Sequence, residues 1–243
     1  MNNKIVIDKI PNSQGKSFAL EMVEVPAGSF IMGNEVWIYT QPVHEVVFER
    51  DFYIGKYPVT QALWKLIMGE NNNPSRFKGD SRPVESVSWK DAQEFIKKLN
   101  ELVINSGHKY KLTSESEWEY AARGGEEGAK EKLLYAGSNR FKEVGWSNKN
   151  STGETKPVGL KMPNQLGIYD MSGNVWEWCE DTAKENYFKY PKDGSPFHEE
   201  GNDFRMVRGG SWEDLDYDCS VFGRIRFNQV VRDNLLGFRL VRY

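Results

Sequence analysis

The stretch GIYDMSGNVWEWCED, residues 167–181, decides the fold. Trp176 and Trp178 stand two apart, so in a strand they share one face while Val175 and Glu177 turn to the other. Two neighbouring indoles on one face bury enough area to anchor a core. Glu177, held between them, then has to meet water, an arginine or a cation.

Upstream of that strand the punctuation is helical. Thr60 reads as an N-cap for Leu63, Trp64, Ile67 and Met68, with Gly69 as the stop. Ser88, with Asp91 three residues on, opens a second helix whose Ala92, Phe95, Ile96, Leu99, Leu102 and Val103 share a face, and Gly107 closes it. Ser114 and Glu117 make a capping box for a third, short helix carrying Trp118, Ala121 and Ala122, ended by Gly124. FALEMVEVPAGSFIMG predicts two strands around a Pro-Ala-Gly turn, and HEVVFERDFYIGKYPVT predicts another strand pair. Beyond residue 125, glycine, asparagine and proline break the chain into short strands and long loops. No repeat, linker or composition break divides the chain, so one α+β domain over residues 1–243 is expected.

Composition narrows the function. The net charge of −3 has no basic tract, which argues against nucleic acid. Residues 1–16, MNNKIVIDKIPNSQGK, hold no apolar run of signal-peptide length, and no segment is long and apolar enough to span a membrane. A cytoplasmic monomer is expected, or a surface or secreted protein if an N-terminal signal has been removed. Two cysteines cannot build a disulfide framework, and His44, His108 and His198 lack the spacing of metal ligands.

Seven stretches carry a resemblance: EMVEVPAGSFIMG, KYPVTQALW, RPVESVSWKDAQEFIKKLN, LTSESEWEYAARGG, GIYDMSGNVWEWCED, VRGGSW and GFRLVRY. Their order is similar to that of the formylglycine-generating enzyme family, also called the sulfatase-modifying factor domain, over roughly residues 19–243. The resemblance implies a C-type-lectin-like fold: a twisted antiparallel sheet, two main flanking helices and extensive irregular loops. It also implies a structural calcium ion held by the Asp170 and Glu177 side chains and the Gly173 and Val175 carbonyls. These are hard oxygen donors reached through a Ser-Gly turn, as calcium prefers. The alternative is that Asp170 caps the turn and Glu177 pairs with an arginine.

The family's oxidase holds copper(I) between two thiolates five residues apart after a Gly-Gly-Ser turn. Here the later position is Cys219 but the earlier one is Asp214, and a hard carboxylate cannot replace the missing sulfur. No copper is therefore expected, and Cys219 and Ser211 read as vestiges of a catalytic site. Cys179 reads as a buried, inert thiol. The C-terminal stretch 212–236 fits neither an amphipathic helix nor a buried strand, and local misfit on a specified scaffold marks function. It is similar to the retroelement-diversified variable proteins that use this domain. That likeness offers Trp212, Glu213, Asp214, Asp216, Tyr217, Phe222, Arg224, Arg226, Asn228, Val230, Asp233 and Leu235 as the lining of an exposed pocket. Its mixture of acids, arginines and aromatics suits a protein or peptide ligand. The alternative is a copper- or otherwise cofactor-dependent modifying enzyme of the family.

Overall fold

The computed structural model describes residues 4–11 and 17–243. Strands β1 (Ile5–Pro11) and β2 (Ser17–Val25) pair antiparallel, with Ile5 opposite Val23. Past the Pro-Ala-Gly turn, β3 (Gly28–Met32) leaves β2 and pairs with β4 (His44–Phe48), Phe30 facing Val46. β5 (Phe52–Gly55) returns to β2 rather than to β4. The predicted strands are present, but sequence neighbours are not always their partners.

Helix α1 (Gln61–Met68) begins where the Thr60 hydroxyl accepts the Leu63 N–H, 3.3 Å away. In α2 (Trp89–Leu102) the Ser88 hydroxyl accepts from the Asp91 N–H at 3.1 Å while the Asp91 carboxylate accepts from the Ser88 N–H at 2.9 Å. That reciprocal box satisfies two N–H groups that the first turn leaves without partners. α2 ends short of Gly107, which closes a following 3-10 turn instead. After β6 (Tyr110–Leu112), α3 (Glu115–Ala122) carries the Ser114–Glu117 box and is buried along all eight residues. Short helices α4 (Gly125–Ala129) and α5 (Phe141–Val144) precede β7 (Trp176–Thr182), β8 (Phe204–Arg208), β9 (Arg224–Asn228), β10 (Leu236–Phe238) and β11 (Leu240–Arg242).

One sheet runs β1-β2-β5-β11-β6 and is antiparallel throughout; a second runs β10-β7-β8-β9. The second departs from the expected antiparallel pattern at β10, which is parallel to β7 with Phe238 beside Trp178. The chain leaves β9 at one edge of this sheet and crosses to the other before forming β10. Such a crossover allows parallel pairing where a tight hairpin does not.

β7 separates two apolar clusters, and its alternation decides which side chain joins which. Trp176 and Trp178 enter the cluster of Trp64, Phe95 and Phe238, where the Trp64 and Phe95 rings stack at 5.5 Å. Cys179 enters the other cluster with Trp118, Tyr120 and Phe52. Among the described residues, no helix is long and apolar enough to cross a membrane.

Candidate functional site

The turn before β7 holds three residues at positive φ: Asp170, Gly173 and Asn174. A Cβ at Gly173 would lie 2.0 Å from the Trp146 carbonyl oxygen, so this close approach needs glycine. The Asn174 side chain accepts from the Lys156 N–H at 2.9 Å and donates to the Lys156 carbonyl at 3.1 Å, tying the turn to a neighbouring loop. The four residues expected around calcium are thus brought into one short segment, but their carboxylates differ.

Glu177 accepts from Arg239 Nη2 at 2.8 Å, from Arg239 Nε at 2.9 Å and from the Trp118 indole at 2.7 Å. The Arg239 fork also donates to the Gly55 and Tyr169 carbonyls, at 2.7 and 2.8 Å. An arginine is therefore the partner that Glu177 required. Asp170 is buried, accepts the Gly159 N–H at 2.8 Å and makes no ion pair among the described residues. Burial raises its carboxyl to about 6, against the pull of the Gly159 hydrogen bond and of Arg239. A cation in this turn would find Asp170 and main-chain oxygens free of a competing cation, whereas Glu177 would have to share its oxygens with Arg239.

The Gly-Gly-Ser turn packs directly on Cys219. A Cβ at Gly210, where φ is +76°, would lie 2.4 Å from the Cys219 sulfur. The thiol is fully buried against Tyr135, Phe141 and Val144, and it donates to the Leu215 carbonyl at 3.6 Å and the Ser211 carbonyl at 3.9 Å. Burial pushes the thiol well up, and Asp214, Asp218 and Asp216 push the same way. Asp214 turns inward: one carboxylate oxygen accepts both the Ser211 N–H at 2.9 Å and the Ser211 hydroxyl. Asp214 and Ser211 thus close a turn. Cys179 is also free and buried, with its thiol raised by burial.

The remaining C-terminal residues divide between interior and surface. Trp212 is buried, its indole donating to the Asn234 carbonyl at 3.1 Å. Asp216 is half-buried and accepts from the Ser147 hydroxyl at 2.6 Å and Lys149 at 2.7 Å. Asn228 and Asp233 hold their own turns, accepting from the Val230 and Leu235 N–H groups, and Leu235 packs partly against the core. Trp212, Phe222 and Arg224, three of the expected lining residues, are buried rather than exposed. Phe222 lies in the core, edge-on to Trp37 at 5.8 Å. Arg224 is 5% exposed and forks onto Glu115 at 2.6 and 2.8 Å. Facing solvent are Glu213, Tyr217, Arg226 and Val230. The segment does not enclose a pocket by itself. A groove of about 780 Å3 takes only Tyr217 and Phe222 from it, and its other walls come from residues 29–45 and 123–134.

Beneath that groove lies a charged network that the sequence reading missed. Arg208 bonds Glu115 at 2.8 Å and Glu119 at 2.7 Å, Arg224 shares Glu115, and Tyr190 donates to Glu115 at 2.8 Å. Burial alone would raise the Glu115 carboxyl, but Arg224 and Arg208 pull it down to about 2. The available signal was three glutamates on a helix whose other residues are apolar or small, which leaves them no solvent face.

A family model described as "Sulfatase-modifying factor enzyme 1-like domain" matches residues 9–243. Among curated proteins, the Chaperone protein LppX of Paenibacillus barcinonensis is 36% identical over 209 residues, 67% of this chain and 69% of that protein. Serine/threonine-protein kinase pkn1 of Chlamydia caviae also matches, and there the chain spans 38% of the relative's length. Among solved structures, Treponema denticola variable protein 1 superposes with a TM-score of 0.83 at 28% identity, covering 99% of both chains. PvdO from Pseudomonas aeruginosa gives 0.82 at 28% identity, over 98% of this chain and 97% of its own.

Proposed function

The chain belongs to the sulfatase-modifying factor enzyme 1-like domain family, and from that premise we propose that it is a non-catalytic ligand-binding protein. Its outward C-terminal side chains, chiefly Glu213, Tyr217, Arg226 and Val230, meet a protein or peptide ligand. The observation that carries this reading is the fate of the two positions that the resemblance assigns to thiolates. Asp214 is a carboxylate that closes the Ser211 turn, and Cys219 is a sealed thiol whose ionisation is disfavoured. A copper(I) site wants two soft sulfurs, and with a carboxylate at 214 only Cys219 offers one. The likeness to a protein called a variable protein supports the ligand-binding reading.

Copper(I) titration tests this. Weak binding that Cys219→Ser leaves unchanged is the expected result. Stoichiometric tight binding abolished by that substitution would return the protein to the oxidase class. The enzyme reading rests on the presence of Cys219 beside Ser211, the thiol donating to the Ser211 carbonyl at 3.9 Å.

The scaffold is further proposed to be braced by calcium at the turn before β7. Asp170 would supply the charge and the Gly173 and Val175 carbonyls further oxygens, with Glu177 contributing only oxygens that Arg239 already bonds.

A further inference from the structure

The small sheet β3–β4 turns Phe30, Met32, Val46 and Phe48 inward, and its outward row pairs Ile31 with Glu45 and Ser29 with Val47. An outward row over a core is ordinarily polar, yet Ile31 is 57% exposed. Ile31 and Glu45 line the groove of about 780 Å3 together with Val36 and Val43, and Ala129, Leu133 and Leu134 line it from the α4 side.

The loop between β3 and β4 is fixed in place. The Gly33 N–H donates to Glu119 at 2.9 Å, Arg123 donates to the Gly33 carbonyl at 3.0 Å, and Arg224 donates to the Tyr39 carbonyl at 2.7 Å. Trp37 packs edge-on against Tyr217 at 5.1 Å. The same loop nonetheless exposes Val36 by 82%, Ile38 by 72% and Tyr39 by 61%. Large apolar side chains on a pinned backbone lose little entropy when a partner covers them, and of these three Val36 lines the groove.

Charge selects the partner. Six charged side chains line the groove: Glu35, Glu45, Arg123, Glu126, Lys130 and Lys132. Arg123 is closed on Glu119 at 2.7 Å and Lys130 on Glu127 at 2.5 Å. Among the described residues, Glu35, Glu45 and Glu126 make no ion pair, and Lys132 is the one groove cation without one. The available field is acidic, and its acids alternate with aliphatic side chains.

We propose that this groove receives a polypeptide segment that carries lysine or arginine next to apolar side chains. Its cations meet Glu35, Glu45 and Glu126, and its apolar groups cover Ile31, Val36 and Leu133. The proposal rests on the ligand-binding reading above and moves much of the contact away from the C-terminal segment.

Fluorescence anisotropy with a short labelled peptide of alternating lysine and leucine tests it, with the glutamate–leucine counterpart as control. The lysine peptide binds, the glutamate peptide does not, and added salt weakens the complex. Glu35→Lys combined with Glu45→Lys weakens binding by roughly tenfold or more, at an unchanged melting temperature. Arg226→Glu with Val230→Asp is the companion variant on the C-terminal surface. Loss with the groove pair, whether or not the companion also loses binding, supports the proposal. Loss with the companion alone overturns the groove assignment and leaves the C-terminal reading intact. Equal binding of both peptides, as a purely apolar or lipid-like site would give, overturns it, and so does no binding of the lysine peptide.

Discussion

At residue 177 a carboxylate lies 1% exposed with both oxygens bonded, and its partner Arg239 is fully buried. Removing one member of such a pair strands the other charge in the interior. Arg239→Met is therefore expected to cost about 3–5 kcal/mol in urea unfolding; a loss below about 1 kcal/mol would mean that Glu177 is satisfied without it. Glu115 and Glu117, two residues apart, give opposite pH dependence. Burial works against the Glu115 charge, but Arg224 and Arg208 hold its carboxyl at about 2, below its ordinary 4.5. The stability it contributes is complete above pH 4.5 and is lost as pH falls toward 2, on the order of 3 kcal/mol in all. Burial raises Glu117 to about 7, so its neutral form is favoured and stability declines as pH rises from 4.5 through 7. In melting curves against pH, Glu115→Gln should flatten the acid limb and Glu117→Gln the neutral one. The sequence showed Glu117 as half of a capping box, and it could not show the charge partners of Glu115. Arg208 and Arg224 lie 93 and 109 residues from Glu115.

At the scale of elements, what was legible was local. The α1, α2 and α3 caps each follow from residues within three positions of one another, and all three form. Ser88→Ala should cost about 1 kcal/mol, and Arg232, which bonds Asp91 at 2.6 and 2.7 Å, ties the same helix start to the C-terminal segment. The indole alternation of β7 was also legible, because period two needs no distant information. Trp178→Ala should destabilise by about 3–5 kcal/mol in chemical denaturation, and a change under about 1 kcal/mol would contradict its place at 0% exposure. Strand partners were not legible. β3 leaves β2 for β4 and β5 leaves β4 for β2, against the hairpins that the sequence suggests. The same limit applied to the site. Glu213, Tyr217, Arg226 and Val230 read as surface residues and are, whereas Trp212, Phe222 and Arg224 read alike and are buried.

At the scale of the molecule, the turn before β7 joins loops from residues 145–175 to the strand that separates the two cores. A cation bound there only in the folded state would stabilise the whole chain by mass action. Added calcium should raise the melting temperature and Asp170→Ala should abolish the rise; no rise in the unmodified protein would remove calcium from the account. Sequence alone determined the family, the mixed helix-and-strand class, the helix caps and the presence of a carboxylate at 214. Each of these depends on residue type and short spacing. Only the tertiary structure decided that Glu177 closes on Arg239, that Arg224 serves the interior, and that the groove beside Tyr217 is built mainly by residues 29–45 and 123–134. Burial and ion pairing are made by segments that meet only when the chain has folded, so no local pattern carries them.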